Sequence, residues 1–212
     1  MNNYLPDQVL HLLDLNTLEM VKDSFVDKQQ AHFADLIYRV QTTSPKPAYV
    51  CLLLEHKSYT DPQVPVQLLR YMAQIWNQLL DQKPVPKPLP VVIPLVIYHG
   101  ASNWAGPYTL SSLFDVDSEF TRFFPEFEYL LYNLSAIQDE NIRGAAKTRM
   151  TLLLQKYIND DNLPAKLTEL ARISTELPAG WSRDNYLRTV GQYLLDRDKL
   201  TTKELDHFFD KA

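Results

Sequence analysis

Residues 49–59, YVCLLLEHKSY, join a long apolar run to three ionisable side chains. The first six residues are apolar or aromatic, and Glu55, His56 and Lys57 follow without a break. A continuous apolar run is typical of a strand that is covered on both faces, as at the centre of an α/β sheet. We therefore predict a central strand that ends in ionisable side chains, which are able to take part in binding or catalysis.

The sequence around this strand predicts an α/β core followed by helices. The predicted core elements are a helix at 5–15, strands within 18–27, 31–42 and 49–58, a helix at 61–82, and strands at 91–100 and 127–135. The proline-containing TTSPKPA, residues 42–48, would join the second strand to the central one as a hairpin. Because Pro94 cannot donate a ladder hydrogen bond, we predict that VVIPLVIYHG is an edge strand or contains a bulge.

Helical periodicity is clearest after the central strand and in the last third of the chain. The residues predicted to share the buried face of the 61–82 helix are Val66, Leu69, Met72, Ala73, Trp76, Leu79 and Leu80. Further helices are predicted within 141–160, 164–177, 182–198 and 201–211, the last beginning with the capping signal Thr201, Thr202 and Glu204. We therefore expect an α/β core over 1–138 and a helical region over 139–212.

The amino-acid composition and net charge of the chain indicate which class of protein it belongs to. The chain has 212 residues, of which 45% are hydrophobic and 22% charged, which is a globular composition. The net charge of −5 gives no global attraction to nucleic acid, although an acidic protein can carry a local basic groove. Cys51 is the single cysteine, so no intramolecular disulfide can form. We find no apolar run long enough for a membrane span and no secretion signal, and we expect a cytoplasmic protein.

The candidate chemistry lies at the end of the central strand. Alternation along a strand places Glu55 and Lys57 on one face and His56, more often a packing residue, on the other. Asp35 interrupts the apolar second strand, although aspartate is disfavoured in strands. If the hairpin pairs these strands, Asp35 can lie near Glu55, and two adjacent carboxylates favour a divalent cation between them. Such an ion activates water for phosphodiester hydrolysis, and Lys57 would assist that water.

The pattern of Asp35 followed by Glu55-x-Lys57 resembles the PD-(D/E)XK nuclease superfamily. More specifically, LLDLNTLEMVKDSFVD, FADLIYRV, LLLEHKSYTDPQVPVQLLRYMAQIW and PLVIYHG resemble the Rpn family of recombination-promoting nucleases, which often carry the label "putative transposase". The resemblance implies a mixed central sheet flanked by helices, DNA as substrate, a link to recombination or mobile elements, and Mg²⁺, replaceable by Mn²⁺ or Ca²⁺ in vitro. It also implies that Asp35 and Glu55 are metal ligands and that Lys57 is the catalytic lysine, at a position where many relatives have glutamine.

Two alternatives to catalysis remain open. The three residues can instead form a structural ion-pair network that closes the sheet edge. The family also implies a further helix before the segment that matches LPDQV, and this sequence lacks it, so we expect the core to be without its first helix. The chain would then be an inactive module that dimerises, binds DNA or pairs with a full-length relative. A true transposase is less favoured, because such enzymes commonly need three acids and only two can be placed.

Other residues are weaker candidates. Gln67 and Arg70 follow Lys57 on the next helix and could contact a phosphate, and His99 ends the fourth strand. The predicted helix after residue 141 carries a basic face that could touch a nucleic-acid backbone, although such faces are more often simply solvated. Its members are Arg143, Lys147, Arg149 and Lys156.

Overall fold

The computed structural model describes most of the chain as two compact units. The described residues are 3–21, 36–44, 47–55, 60–85, 88–100, 102–158, 160, 163–196, 201, 203–204 and 208, without the side chains of 36, 47, 49–55, 181 and 196. The first unit comprises 1–98 and 104–133, and the second comprises 99–103 and 134–212. Each unit is described separately below.

The first unit is built on a sheet whose five described strands lie in chain order. The strands are β1 (Leu13–Met20), β2 (Leu36–Thr42), β3 (Pro47–Glu55), β4 (Val91–Tyr98) and β5 (Leu130–Asn133). The first three are antiparallel neighbours, whereas β3, β4 and β5 run parallel to one another. The predicted α/β class is confirmed.

The predicted hairpin and the central position of the apolar strand are both confirmed. β2 and β3 pair antiparallel from Gln41↔Pro47 to Leu36↔Leu52. β3 then pairs along its other side with β4, from Ala48↔Val91 to Glu55↔Tyr98. Because β3 has a neighbour on each side, its backbone groups are bonded within the sheet, which suits an apolar sequence.

The prediction that the fourth strand is an edge strand is wrong. Pro94 still cannot donate a ladder hydrogen bond, and the register of the strand accommodates this. β4 lies between β3 and β5, and Pro94 pairs with Cys51 of β3. The ladder to β5 begins one residue later, at Leu95↔Leu130. At Pro94 itself, β4 therefore has no β5 partner, and the missing N–H leaves no gap in that ladder.

The beginning of the chain contains less helix and an earlier strand than predicted. Helix α1 is a single turn, Asp7–Leu10, and β1 begins at Leu13. Leu12 is 53% exposed, whereas Leu13 is buried in the strand. β1 contains an irregularity between Asp14 and Glu19, where the Gln41 amide donates to the Thr17 hydroxyl at 2.8 Å.

Helix α2 (Val64–Leu80) forms as predicted but buries a different face. Its buried residues are Val64, Pro65, Leu68, Tyr71, Met72, Ile75 and Leu79. These pack with Ile37, Val92, Val96 and Tyr98 on one face of the sheet. Of the seven predicted face residues, Met72 and Leu79 are buried, while Val66 and Leu80 are 51% and 48% exposed. The prediction failed because α2 is apolar on more than one side.

The second unit is helical, as the sequence predicts. Its helices are α3 (Ala146–Tyr157), α4 (Leu163–Ser174) and α5 (Trp181–Asp196). The capping signal beyond α5 is confirmed as a reciprocal pair, because the Thr201 amide donates to Glu204 Oε2 at 2.8 Å and the Glu204 amide donates to Thr201 Oγ1 at 3.3 Å. No helix in the described part of the chain combines the length and apolar character needed to cross a bilayer.

Candidate functional site

The candidate site is the sheet edge at which the parallel strands end, which we call the carboxyl edge. β3 ends there at Glu55, which is the register partner of Tyr98 at the end of β4. Tyr98 is in turn the partner of Asn133 at the end of β5. Because β2 is antiparallel to β3, its first residue, Leu36, lies at the same edge, opposite Leu52. Carboxyl ends of parallel strands are where α/β proteins most often place ligands.

Thr60, five positions beyond the end of β3 in the sequence, contacts the 104–106 loop. The Ala105 amide donates to the Thr60 hydroxyl at 3.2 Å. Gly106 packs so closely that a Cβ there would lie 2.5 Å from Thr60 Cγ2 and 2.7 Å from a ring carbon of Trp104. Only glycine, which has no Cβ, fits at position 106. Its absence of a side chain allows Thr60 to pack directly against the 104–106 loop. Glu55 and Thr60 thus provide two described anchors, one on each side of the segment that contains Lys57.

An aromatic cluster lies beside the carboxyl edge. The rings of Tyr98 and Trp104 meet edge to face with centroids 5.0 Å apart, and Trp104 meets Tyr129 in the same way at 6.4 Å. Tyr108 stacks on Tyr129 at 6.1 Å. Tyr129 donates its hydroxyl hydrogen bond to the Pro107 carbonyl, and burial raises the pKa of its phenol well above the ordinary value. Tyr98, Trp104 and Tyr129 are buried, whereas Tyr108 is 52% exposed, so three of the four rings give the edge an apolar flank.

Sequence reasoning missed this cluster. Tyr98 is fully buried, and its hydroxyl has no hydrogen-bond partner within the described structure. A buried donor without a partner costs about 1–3 kcal/mol. The signal in the sequence was the tyrosine that ends the apolar run VVIPLVIY.

The three predicted catalytic residues fall largely outside what the structure describes. Asp35 and Lys57 lie outside the described residues, as does the side chain of Glu55, whose backbone ends β3. The carboxyl edge is therefore described by its strand register and its aromatic flank. The described residues contain no group of three or more His, Cys, Asp and Glu side chains placed to hold a metal ion.

The accessory candidates on α2 are oriented by Tyr71. Gln67 donates from Nε2 to the Tyr71 hydroxyl at 3.3 Å, and the guanidinium of exposed Arg70 lies 5.4 Å from the centroid of the Tyr71 ring. His99 belongs to the second unit and is only 3% exposed, so it is an interior residue there.

The predicted basic face is not a single solvent-facing surface of one helix, because Arg143 precedes α3. Arg143 and Lys147 are exposed, and the Lys147 ammonium lies 5.0 Å from the Tyr186 ring. Arg149 instead pairs with Glu176 at 2.6 Å. Lys156 is a correction to the prediction, since its side chain is 13% exposed and its ammonium is bound to Asp139 at 2.7 Å. A lysine held in this way has no free charge to offer a phosphate.

Asp139 is the centre of an ionic cluster that joins α3 and α4. Its carboxylate accepts hydrogen bonds from Lys156 at 2.7 Å, Lys166 at 2.5 Å and the Tyr157 hydroxyl at 2.8 Å. Burial alone would raise the pKa of Asp139, but these donors outweigh it and hold that pKa below its ordinary value. The hydrogen bond to Asp139 in turn raises the pKa of Lys166. Every group in the cluster is partnered, so we interpret it as structural.

The family model described as "Putative transposase, YhgA-like" matches residues 1–182. The chain belongs to this family. The predicted resemblance to the Rpn proteins is confirmed by similarity to curated proteins, three of which, from Escherichia coli strain K12, follow. The chain is 29% identical to "Inactive recombination-promoting nuclease-like protein RpnE", over 91% of the chain and 62% of that relative. It is 28% identical to "Recombination-promoting nuclease RpnC", over 97% and 66%, and 26% identical to "Recombination-promoting nuclease RpnA", over 91% and 64%.

The share of each relative that is covered limits what the relatives' names imply for this chain. It spans a little under two thirds of the length of these three relatives, 62–66%. One of the three is named inactive and two are named nucleases. No solved structure matches the chain.

Proposed function

We propose that the first unit is a metal-dependent DNA endonuclease core of the PD-(D/E)XK type, linked to recombination. Family membership supports the class, because two relatives that match over nearly the whole chain are named recombination-promoting nucleases. The residues proposed to carry the reaction are Asp35, Glu55 and Lys57.

The observation that carries the proposal is the strand register at the carboxyl edge. The antiparallel ladder runs as far as Leu36↔Leu52, and β3 continues three residues further, to Glu55. Asp35 directly precedes Leu36 in the sequence. If the ladder continues by one pair, Asp35 comes opposite Leu53, which shares a face of β3 with Glu55. The proposal requires that continuation.

Each residue then has a distinct role. Asp35 and Glu55 supply carboxylate oxygens, which are the ligands that Mg²⁺ prefers in proteins. A bound Mg²⁺ would supply Lewis-acid activation of a phosphate and of water. Lys57 orients the attacking water and stabilises negative charge that develops on the phosphate oxygens.

The test is nicking of supercoiled plasmid by the purified chain in Mg²⁺ or Mn²⁺. Asp35→Asn, Glu55→Gln and Lys57→Ala should each slow nicking by at least about a hundredfold. Asp115→Asn changes an exposed acid elsewhere in the same unit and should nick at the wild-type rate. Nicking by all variants at the wild-type rate would refute the assignment and would indicate a contaminating nuclease.

Metal binding gives a second readout that does not depend on turnover. Titration calorimetry with Mn²⁺ should show loss of binding in Asp35→Asn and in Glu55→Gln. Lys57→Ala should retain Mn²⁺ binding, because the ammonium is not a ligand. Unchanged Mn²⁺ binding in both carboxylate variants would contradict the proposed ligand set.

A second function is favoured by the names of two relatives. RpnE is named inactive, and a protein that is 33% identical over 76 residues covering 35% of the chain is named "Putative inactive recombination-promoting nuclease-like protein YjiP". In this alternative the chain does not cleave DNA but binds it or pairs with a full-length relative. Absence of wild-type nicking and of Mn²⁺ binding, together with co-elution with such a relative or inhibition of its activity, would establish this second function.

A further inference from the structure

The connection between β4 and β5 contains a loop whose two ends are held together on the first unit. Thr109 and Glu128 form an isolated antiparallel bridge across the base of this loop. Next to the bridge, Leu110 is 2% exposed, and Phe127 packs against the apolar cluster between α2 and the sheet. Residues 110–127, which we call the bridged loop, therefore start and end on the core, as compact surface loops with a function often do.

The bridged loop also has internal contacts of its own. The rings of Phe114 and Phe124 stack with centroids 4.4 Å apart and planes 17° apart. Between them, the Phe120 amide donates to the Asp117 carbonyl at 2.9 Å. Because these contacts already order the loop, a partner that binds it loses little affinity to loop ordering.

The bridged loop turns large apolar side chains towards solvent. Its exposed apolar residues, which we call the loop patch, are Phe114, Val116, Phe120 and Phe123, with exposures of 45%, 49%, 54% and 71%. They are four of the twelve large hydrophobic residues that are exposed in the described part of the chain, and they lie within ten residues of sequence. Given the area of such side chains, the loop patch leaves roughly 400 Å² of apolar surface in water. Patches of that size on a monomer are often contact surfaces.

The charges around the loop patch are mostly negative. Four carboxylates and one guanidinium give the bridged loop a net charge of −3, and all five side chains are exposed. The guanidinium of Arg122 lies 4.9 Å from the centroid of the Phe123 ring. The four acids are Asp115, Asp117, Glu119 and Glu126. A partner must therefore offer both apolar side chains and positive charge.

We propose that the loop patch binds a basic amphipathic helix of another protein. The apolar stripe of that helix covers the phenylalanine rings, and its Lys and Arg side chains pair with the surrounding carboxylates. Charge decides against the other occupants. DNA and anionic lipid are repelled by the acids of the loop. A second copy of this chain in a two-fold contact would set the same carboxylates against each other.

The expected contact is weak and sensitive to salt. An apolar patch of roughly 400 Å² is about half of what one partner buries in a stable complex. We therefore expect a dissociation constant of about 10–100 µM. Because the carboxylates are exposed, added salt screens their attraction for the basic helix.

A synthetic peptide provides the probe. The peptide has about 18 residues of Leu and Lys, with the leucines spaced to form one apolar stripe on a helix. Fluorescence anisotropy of the labelled peptide, titrated with the whole chain, should show saturable binding that weakens several-fold between about 0.05 and 0.5 M NaCl. The same peptide with Glu in place of Lys should bind at least tenfold more weakly.

Paired substitutions of apolar residues test whether the peptide binds the loop patch. Phe120→Ser together with Phe123→Ser should weaken binding of the Leu–Lys peptide at least tenfold. The matched control is Leu12→Ser together with Leu89→Ser, which changes two residues of the same unit that are 53% and 42% exposed. The control should bind the peptide as wild type does. Circular dichroism establishes that both variants keep the wild-type fold.

Paired substitutions of acids test the role of charge. Asp117→Asn together with Glu119→Gln should weaken binding of the Leu–Lys peptide at least threefold. Asp7→Asn together with Asp81→Asn removes the same charge from exposed positions elsewhere in the first unit and should leave binding unchanged. This comparison separates the local acids from the net negative charge of the chain.

Several results would overturn the proposal. These are the absence of saturable Leu–Lys binding up to about 500 µM, equal binding of the Leu–Glu peptide, and equal weakening by loop-patch variants and their controls. Sedimentation velocity supplies one more. Dimerisation of wild type that Phe120→Ser together with Phe123→Ser abolishes would mean that a second copy covers the loop patch.

Discussion

The ionic cluster at Asp139 predicts a large local loss of stability when a single oxygen is changed. In Asp139→Asn the side chain keeps its shape but loses its charge. Lys156, at 13% exposure, then retains an ammonium whose described partner is the Ile137 carbonyl. Lys166 is 30% exposed and recovers part of its hydration, so its contribution is discounted.

The expected loss of stability in Asp139→Asn follows from the exposed fractions of Lys156 and Lys166. Removing one partner of a buried ion pair costs about 3–5 kcal/mol, and water reaching Lys166 places this case near 3 kcal/mol. That value corresponds to about a hundredfold change in the equilibrium between folded and unfolded helices. It is a substantial part of the 5–15 kcal/mol by which domains are usually stable.

Amide hydrogen exchange of α3 and α4, read by mass spectrometry, measures this loss where it should occur. Protection of both helices should fall by about a hundredfold in Asp139→Asn. The matched control is Glu176→Gln, which changes an exposed carboxylate paired with Arg149 in the same unit and should have little effect. Adding Lys156→Met to Asp139→Asn should restore part of the protection, because the uncompensated ammonium is removed.

An equal loss of amide protection of α3 and α4 in Asp139→Asn and in Glu176→Gln would contradict this prediction. It also fails if the added Lys156→Met lowers protection further. Either result would mean that the cluster is well hydrated and that its short contacts contribute little.

Three further predictions concern pH and two local contacts. Because the pKa of Asp139 is lowered on folding, its contribution to stability is present above the ordinary carboxyl pKa and is lost as pH falls through the lowered value; urea unfolding should show wild type and Asp139→Asn converging below about pH 4. Gly106→Ala pushes a methyl group to 2.5 Å from Thr60, and it should cost about 1–3 kcal/mol in the urea unfolding of the first unit. Glu204→Ala removes the carboxylate that accepts a hydrogen bond from the Thr201 amide, and the Thr201 amide should therefore exchange faster in NMR-detected exchange.

Each of these has a clear contrary result. A constant difference between wild type and Asp139→Asn down to pH 2 would show that Asp139 does not titrate as described. Gly106→Ala with wild-type stability, judged beside the exposed neighbour change Ala105→Ser, would mean that the 104–106 loop moves at little cost. Unchanged exchange of the Thr201 amide in Glu204→Ala would show that its bond to the Glu204 carboxylate contributes little.

The sequence determined those parts of the fold in which local pattern and backbone chemistry agree. The apolar run before Glu55 could only be stable between two neighbours, and it lies at the centre of the sheet. The proline-containing connection made the β2–β3 hairpin predictable, and Thr201 with Glu204 specified a cap whose bonds are local. The family could also be identified from sequence, because its motifs are continuous stretches.

Tertiary structure decided what depends on distant neighbours. Periodicity showed that α2 is a helix, but because α2 is apolar on two sides, only the sheet beneath it determines that Tyr71 is buried and Val66 is exposed. From the sequence alone, Lys156 is expected to be a surface cation. In the folded protein it binds a carboxylate 17 positions earlier in the chain. From the sequence alone, Tyr98 is the end of a strand. Only the tertiary structure shows that its ring packs against Trp104 beside the carboxyl edge. Burial and pairing of this kind are properties of three-dimensional contacts, and a one-dimensional pattern cannot specify which of several suitable neighbours a side chain will meet.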